Sequence, residues 1–186
     1  MNISALILAA GSGKRIGKPK LMLELEGKSF LNIITEKIKS AGINNIICVV
    51  SKSSCKWAKD NVPEIEYAIN PNPEDGMISS VFYGMQKINK CDGVMVTPVD
   101  HPFVYTGTYK LILNLAEQNP GCIIKPKYNG ISGHPIVIPF EMKNIILQNK
   151  FSNGLDSLIK KSVLEHRYID VEDNGVIKNI NTKEDL

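Results

Sequence analysis

The sequence predicts an α/β fold, a three-layer, doubly wound and mostly parallel sheet of Rossmann-like form. Two observations carry that reading. Short, unbroken apolar runs alternate with segments whose apolar residues recur at helical spacing, the order of a parallel sheet covered on both faces. The turns after these runs collect glycine, charge and proline, as the carboxyl edge of such a sheet does where ligands bind. The 186 residues suit a single domain, 1–186. Hydrophobic residues at 43% supply a core.

The elements follow in order. Ile3 to Leu8 reads as a buried strand running straight into a glycine loop, and the residues before it lack the basic start of a signal peptide. Phe30, Ile33, Ile34, Ile38 and Ala41 share a helix face, with Gly42 as its stop. Ile46 to Val50 is the next buried strand, Ser53 to Asp60 a short helix, and Glu64 to Ile69 a weaker strand. Ile78, Val81, Phe82, Met85 and Ile88 repeat as a second helix face. Gly93 to Thr97 is a strand, Thr106 to Gln118 a helix, and Cys122-Ile123-Ile124 opens another strand. Beyond Ile124 the pattern loosens, and Lys125 to Pro135 reads as a polar, glycine-rich loop.

Composition excludes several classes. A net charge of +3 without a long basic run does not point to nucleic acid. No apolar stretch approaches the roughly 18–20 residues of a membrane span. Cys48, Cys55, Cys91 and Cys122 show no CxxC spacing, so neither a zinc site nor a disulfide framework is expected, and a reduced, cytoplasmic protein is.

The loop after Leu8 holds Gly11, Gly13 and Gly17 with Lys14, Arg15, Lys18 and Lys20. Glycines let backbone N–H groups approach phosphate oxygens, and the basic side chains can neutralise a polyphosphate. A P-loop needs GxxxxGK[ST], but Ser12 stands in the first glycine's place and Pro19 follows Lys18. A dinucleotide fingerprint needs GxGxxG, but Ile16 replaces its third glycine, and the second strand ends Val49-Val50-Ser51 without the expected acid. A basic anion-binding loop of a third kind remains, beside the plainer reading of a glycine turn with solvated lysines.

The run Leu8-Ala9-Ala10-Gly11-x-Gly13-x-Arg15-x-Gly17-x-x-Lys20 resembles the LAAGxGxRMGxxK signature of the MobA-like nucleotidyltransferases. The resemblance implies a nucleotidyltransferase fold, with Leu8, Ala9, Ala10 and Gly11 at the base and ribose, and Arg15 and Lys20 on phosphates. Gly13 and Lys14 complete the nucleotide loop. Pro98-Val99-Asp100-His101-Pro102 resembles the family's DxP metal motif, with His101 where many relatives have Gln. A carboxylate at a sheet's carboxyl edge, facing a phosphate loop, suits a hard cation, and Mg²⁺ is the expected cofactor.

Three further segments extend the site. At the C-terminus, Thr182 with Asp185 reads as a helix N-cap. The segment also resembles the family's (D/N)xxTPEDL, which implies that Asn181 is a second oxygen ligand to the metal. Gly76-Met77-Ile78-Ser79-Ser80 starts a helix whose free N–H groups suit polar ligands. It resembles GMxxS, which implies Gly76, Ser79 and above all Ser80 near the base, with capping as the alternative role. Asn70, ending the third strand, is a further nucleotide-facing candidate. Gly130-Ile131-Ser132-Gly133-His134-Pro135 resembles the GxxGHP of the molybdenum cofactor cytidylyltransferase branch. It implies Gly133 and His134, with His101, at the acceptor.

The expected reaction moves NMP, with CTP favoured as donor, onto the phosphate of a molybdopterin-type cofactor and releases pyrophosphate. Residues 1–124 then form the nucleotide-binding part, and 125–186 a small acceptor-binding part with the C-terminal metal motif. A molybdoenzyme in transient contact is an implied partner. Two alternatives stand beside this reading. A sugar- or alditol-phosphate nucleotidyltransferase would accept another phosphate ester. A non-catalytic nucleotide-binding chaperone of molybdoenzymes would bind nucleotide without releasing pyrophosphate.

Overall fold

The computed structural model describes residues 1–14, 16–149, 154–182 and 185. The chain runs through β1 (Ile3–Ala9), a small ribbon of β2 (Glu24–Leu25) and β3 (Lys28–Ser29), α1 (Phe30–Ser40), β4 (Ile46–Ser51), α2 (Cys55–Asn61) and β5 (Glu66–Asn70). It continues through α3 (Met77–Lys87), β6 (Gly93–Pro98), α4 (Thr106–Gln118), β7 (Ile123–Tyr128), β8 (Ile131–Ser132) and β9 (Ile136–Pro139). Helices α5 (Met142–Gln148) and α6 (Leu155–Lys161) and strand β10 (His166–Asp170) follow. The main sheet has the order β10-β7-β9-β6-β1-β4-β5, with β8 beside β7. Its pairings are parallel except those made by β8 and β9.

The pleat sorts each strand's side chains onto two faces. Ala5, Ile7 and Ala9 of β1 join one core with Phe30, Ile34 and Ile38 of α1 and Tyr109 and Ile112 of α4. Leu6 and Leu8 join the opposite core with Val81 and Met85 of α3, Ile146 of α5 and Ile159 of α6. Three layers result. Helix α1 starts where Ser29 Oγ accepts the Asn32 N–H at 3.1 Å, the N-cap bond that serine supplies. Among the described residues, no helix is long and apolar enough to cross a membrane.

Helix α3 lies tight on the sheet because residue 84 has no side chain. A Cβ on Gly84 would overlap Leu6 Cδ1 and sit 2.8 Å from Val49 Cγ2. Leu6 and Val49 are fully buried, so neither has room to retreat. Gly84→Val is therefore expected to cost at least about 2 kcal/mol through overpacking, read as a lower urea midpoint with an unchanged m-value.

One expectation fails. Lys125 to Pro135 is not all loop: β7 runs on to Tyr128, and Ile131–Ser132 folds back on it as β8. The polar letters hid the strand because its stability comes from pairing. β7 is bonded to β9 on one side and β10 on the other, with Ile124 opposite Val137 and Pro126 opposite Ile169. Residues beyond 124 thus add strands to the same sheet.

After β1 the chain winds through β4 to β5, then returns to pair β6 on the other side of β1. That reversal opens a crevice beyond the carboxyl ends of β1 and β6, the position favoured for ligands in open α/β sheets.

Candidate active site

The loop Ala10–Lys20 leaves β1 into this crevice. Its shape is set by Gly13, whose φ of +60° is a conformation other residues rarely adopt, and whose Cβ would run into the Lys18 carbonyl. The Gly13 carbonyl accepts the N–H groups of Ile16 and Gly17, each at 2.9 Å. Arg15 lies outside the described residues.

Three hollows surround the loop. One of about 190 Å³ is lined by Leu8, Ala10, Gly11, Gly76, Ser80 and Asp100 among others. A second, of about 540 Å³, is bordered by Ala10, Ser12, Ser51 and Lys52. A third, of about 210 Å³, is bordered by Ser12, Gly13, Lys14, Lys20 and Asn181. Lys20 is common to the first and third.

Three residues nominated from separate motifs meet at the crevice. Lys20 Nζ donates to Asp100 Oδ2 at 2.6 Å and to Asn181 Oδ1 at 2.8 Å, across 80 and 161 residues of sequence. The topology explains the meeting. Val99 N–H continues the β1–β6 ladder onto the Leu8 carbonyl at 3.0 Å, which sets Asp100 beside the loop. The Asp100 carbonyl accepts the Ile180 N–H at 2.9 Å, which brings in Asn181. The Asp185 carboxylate accepts the N–H groups of Asn181 and Thr182, both at 2.8 Å, and these bonds hold its carboxyl below the usual range. Asp100 and Asn181 thus present two oxygens to one cation. They fit a hard divalent ion that takes its other ligands from phosphate and water. Among the described residues, no group of three His, Cys, Asp or Glu side chains could hold a metal unaided.

At the start of α3 the two serines differ. Ser79 Oγ donates to the Gly76 carbonyl at 2.7 Å and is fully buried. Ser80 Oγ accepts from Asn70 Nδ2 at 3.0 Å, so its own O–H is left to donate, and it borders the first hollow. Asn70 Oδ1 accepts the Asn72 N–H at 2.9 Å, which fixes the amide's orientation. Asn70 is buried, with its amide nitrogen bonded to both serines, and it borders the second hollow.

On the other side of Asp100, His101 and His134 lie with ring centroids 5.3 Å apart. His101 Nδ1 is 3.3 Å from the Gly175 carbonyl and so carries the proton, while Nε2 is 3.8 Å from Asp100 Oδ1. Burial lowers the His101 pKa, against the pull of Asp100. Burial, and then the neighbouring His101, pushes His134 down to about 4. Its Nδ1 is sealed from solvent and has no hydrogen-bond partner among the described residues. Gly133 packs on backbone: its Cβ would overlap the Val176 carbonyl, and His134 N–H donates to that carbonyl at 2.8 Å.

These imidazoles have a pH signature. An unfolded histidine binds a proton near pH 6.5, and folded His134 does so only near 4. Between those values the unfolded state holds the extra proton. The contribution is complete above about pH 6.5 and lost as pH falls toward about 4, with a slope of at most about 1.4 kcal/mol per pH unit. Urea midpoints measured across that window should flatten in His134→Gln. An equal slope in that variant would remove His134 as the source.

Two residues that the motifs did not nominate hold this edge together. The Asp173 carboxylate accepts from Tyr105 N–H at 2.8 Å, Thr108 Oγ1 at 2.6 Å and Gly175 N–H at 2.9 Å, tying the C-terminal segment to the start of α4. Lys37 of α1 donates to the Pro102 and Val104 carbonyls at 2.6 and 2.7 Å, and burial lowers its pKa. The spacing Asp173-x-Gly175 could have flagged a turn; nothing around Lys37 signals its role.

Comparison with known proteins identifies a family. A family model described as MobA-like NTP transferase domain matches residues 5–167. A probable molybdenum cofactor guanylyltransferase from Natranaerobius thermophilus is 28% identical, covering 100% of this chain and 93% of the relative. The molybdenum cofactor cytidylyltransferase of Escherichia coli is also 28% identical, over 99% of this chain and 93% of the relative. A nicotine blue oxidoreductase from Paenarthrobacter nicotinovorans is 23% identical over 99% and 94%. A Mycobacterium tuberculosis protein crystallised with manganese superposes with a TM-score of 0.79 at 15% identity, over 100% of this chain and 96% of that one.

Proposed function

Because the chain belongs to the MobA-like NTP transferase family, we propose that it transfers NMP from an NTP to the phosphate of a molybdopterin-type cofactor and releases pyrophosphate. The observation that carries this reading is the convergence of Lys20, Asp100 and Asn181 beside the Ala10–Lys20 loop. Relatives named for guanylyl and for cytidylyl transfer to molybdenum cofactor support the acceptor class. CTP is the proposed donor, from the Gly76-Met77-Ile78-Ser79-Ser80 segment together with Gly133-His134-Pro135, which resembles the cytidylyltransferase branch.

Chemically, an oxygen of the acceptor phosphate attacks the α-phosphorus, the α–β bridging bond breaks, and pyrophosphate departs with the bonding electrons. A phosphate monoester is already largely ionised at neutral pH, so no general base is required. The obstacle is charge repulsion, and the residues act by neutralising and aligning. Arg15 and Lys20, with Lys14 in the same loop, would neutralise the β- and γ-phosphates and stabilise developing charge on the leaving group. Ser80 donates to the base, and backbone of Ala9, Ala10, Gly11 and Gly13 cradles ribose and phosphate. Asp100 and Asn181 would hold Mg²⁺, which supplies Lewis-acid neutralisation of the triphosphate. His101 and His134 border the acceptor, with Gly133 shaping that side by its contact with Val176.

A pyrophosphate-release screen tests the proposal by crossing CTP, GTP, ATP and UTP with molybdopterin cofactor and with sugar and alditol phosphates. Release with CTP and molybdopterin cofactor alone is expected. Release with a sugar phosphate would move the assignment to that acceptor class. Nucleotide binding without release from any pair would point to the chaperone reading.

A further inference from the structure

We infer that Lys20 is a resident counter-ion that occupies the cation position between Asp100 and Asn181 until a triphosphate draws it away, so that a divalent cation enters only together with nucleotide. The inference deepens the transfer reading of the same site and rests on it. Its basis is one atom. Lys20 Nζ touches both oxygens that would ligate the metal, at 2.6 Å from Asp100 Oδ2 and 2.8 Å from Asn181 Oδ1. A small divalent cation needs those oxygens at about 2.0–2.1 Å, and it cannot share them with an ammonium at hydrogen-bonding distance. Metal and Lys20 therefore compete.

The charge balance favours the lysine when no anion is present. One carboxylate, one amide and one ammonium sum to zero, so an incoming divalent ion meets no net attraction. Among the described residues, no cluster of three acidic, histidine or cysteine side chains stands by to outbid the ammonium. Asp100 is also the ion pair of Lys20, at 17% and 19% side-chain exposure for the lysine and the aspartate, so solvent screening is reduced.

The exit is built in. The hollow bordered by Ser12, Gly13 and Lys14 is also bordered by Lys20 and Asn181. Lys20 has three donors on a flexible stem and can turn toward anion in that hollow by side-chain rotation alone. Triphosphate there would give the ammonium new oxygens, free Asp100 and Asn181, and bring further ligands for the metal. By linkage, nucleotide and metal then raise each other's affinity by the same factor.

Mn²⁺ binding to the nucleotide-free protein, followed by electron paramagnetic resonance, tests this without reference to turnover. Lys20→Met and Lys20→Gln are expected to bind Mn²⁺ at least about tenfold more tightly than the unaltered protein, within the roughly 5–150-fold range of site coupling. Lys20→Arg, which keeps the charge, should bind as weakly as the unaltered protein. Adding Asp100→Asn to Lys20→Met should erase the gain, locating it at this site. Equal Mn²⁺ affinity in the unaltered protein and both neutral variants, with the folded near-UV circular dichroism signature preserved, would overturn the inference. The transfer reading fails separately, if the unaltered protein releases pyrophosphate from no pair in the screen.

Discussion

Replacing Asp100 with alanine is expected to lower kcat/KM for pyrophosphate release by at least about 10³, a loss of about 4 kcal/mol of transition-state stabilisation. The carboxylate has two duties in the proposed reaction, and the substitution removes both. It is the charged member of the Asp100–Asn181 oxygen pair, and it is the ion-pair partner of Lys20 at 2.6 Å. Without it, Lys20 is left with only the neutral Asn181 oxygen of the two that hold it. The fold should survive. Asp100 sits on a turn at the crevice, and its contribution to the frame is its backbone carbonyl, which accepts the Ile180 N–H whatever the side chain. Asp100→Asn keeps an oxygen but loses the charge that both duties need, and a comparable loss of rate is expected. Circular dichroism and a thermal midpoint close to those of the unaltered protein check that the defect is chemical. Turnover within tenfold of the unaltered protein would remove Asp100 from the reaction.

Asp173→Ala is expected to give the largest loss of stability, about 3–5 kcal/mol. Asp173 is 2% exposed and accepts three hydrogen bonds from residues up to 68 positions away. Removing the carboxylate leaves the buried Gly175 N–H and Thr108 hydroxyl, and the part-buried Tyr105 N–H, without their acceptor, and each buried unmet donor costs about 1–3 kcal/mol. Lys37 also loses the nearby opposite charge that offsets its burial. For a chain of this length the thermal midpoint should fall by about 6–20 °C. Asp173→Asn, which retains one oxygen, should lose less. The two predictions separate cleanly, since Asp100→Ala spares stability and Asp173→Ala spares the identity of the groups at the crevice.

The amino-terminal half of the fold was readable because its strands are buried on both faces. Ile3 to Leu8, Ile46 to Val50 and Gly93 to Thr97 have no need to alternate, and the helices between them show their apolar stripe plainly. Beyond Ile124 that signal fails for a physical reason. Strand β7 carries Lys125, Pro126 and Lys127, and β10 reads His-Arg-Tyr-Ile-Asp with no fully buried residue. Both are strands because neighbours pair with them, and pairing partners do not appear in a local pattern. At the site, the motifs nominated Lys20, Asp100 and Asn181 one by one. Their meeting depends on β6 lying beside β1 and on Ile180 bonding to Asp100, neither of which the motifs contain. Asn70 shows the opposite limit. Its position after β5 places it at the border of the second hollow, but its amide bonds to the serines of α3 are invisible in the local pattern.

Nucleotidyl transfer at the Lys20–Asp100–Asn181 edge is tested most directly by the fate of the α-phosphorus. The protein is incubated with molybdopterin cofactor and CTP labelled at the α-phosphate, in the presence of Mg²⁺, and the products are separated. The label is predicted to appear in a cofactor–CMP conjugate, in step with unlabelled pyrophosphate, and to stay in CTP when Asp100→Ala is used. Cofactor recovered without label, while CTP remains intact or is hydrolysed to free CMP, would contradict nucleotidyl transfer at this edge.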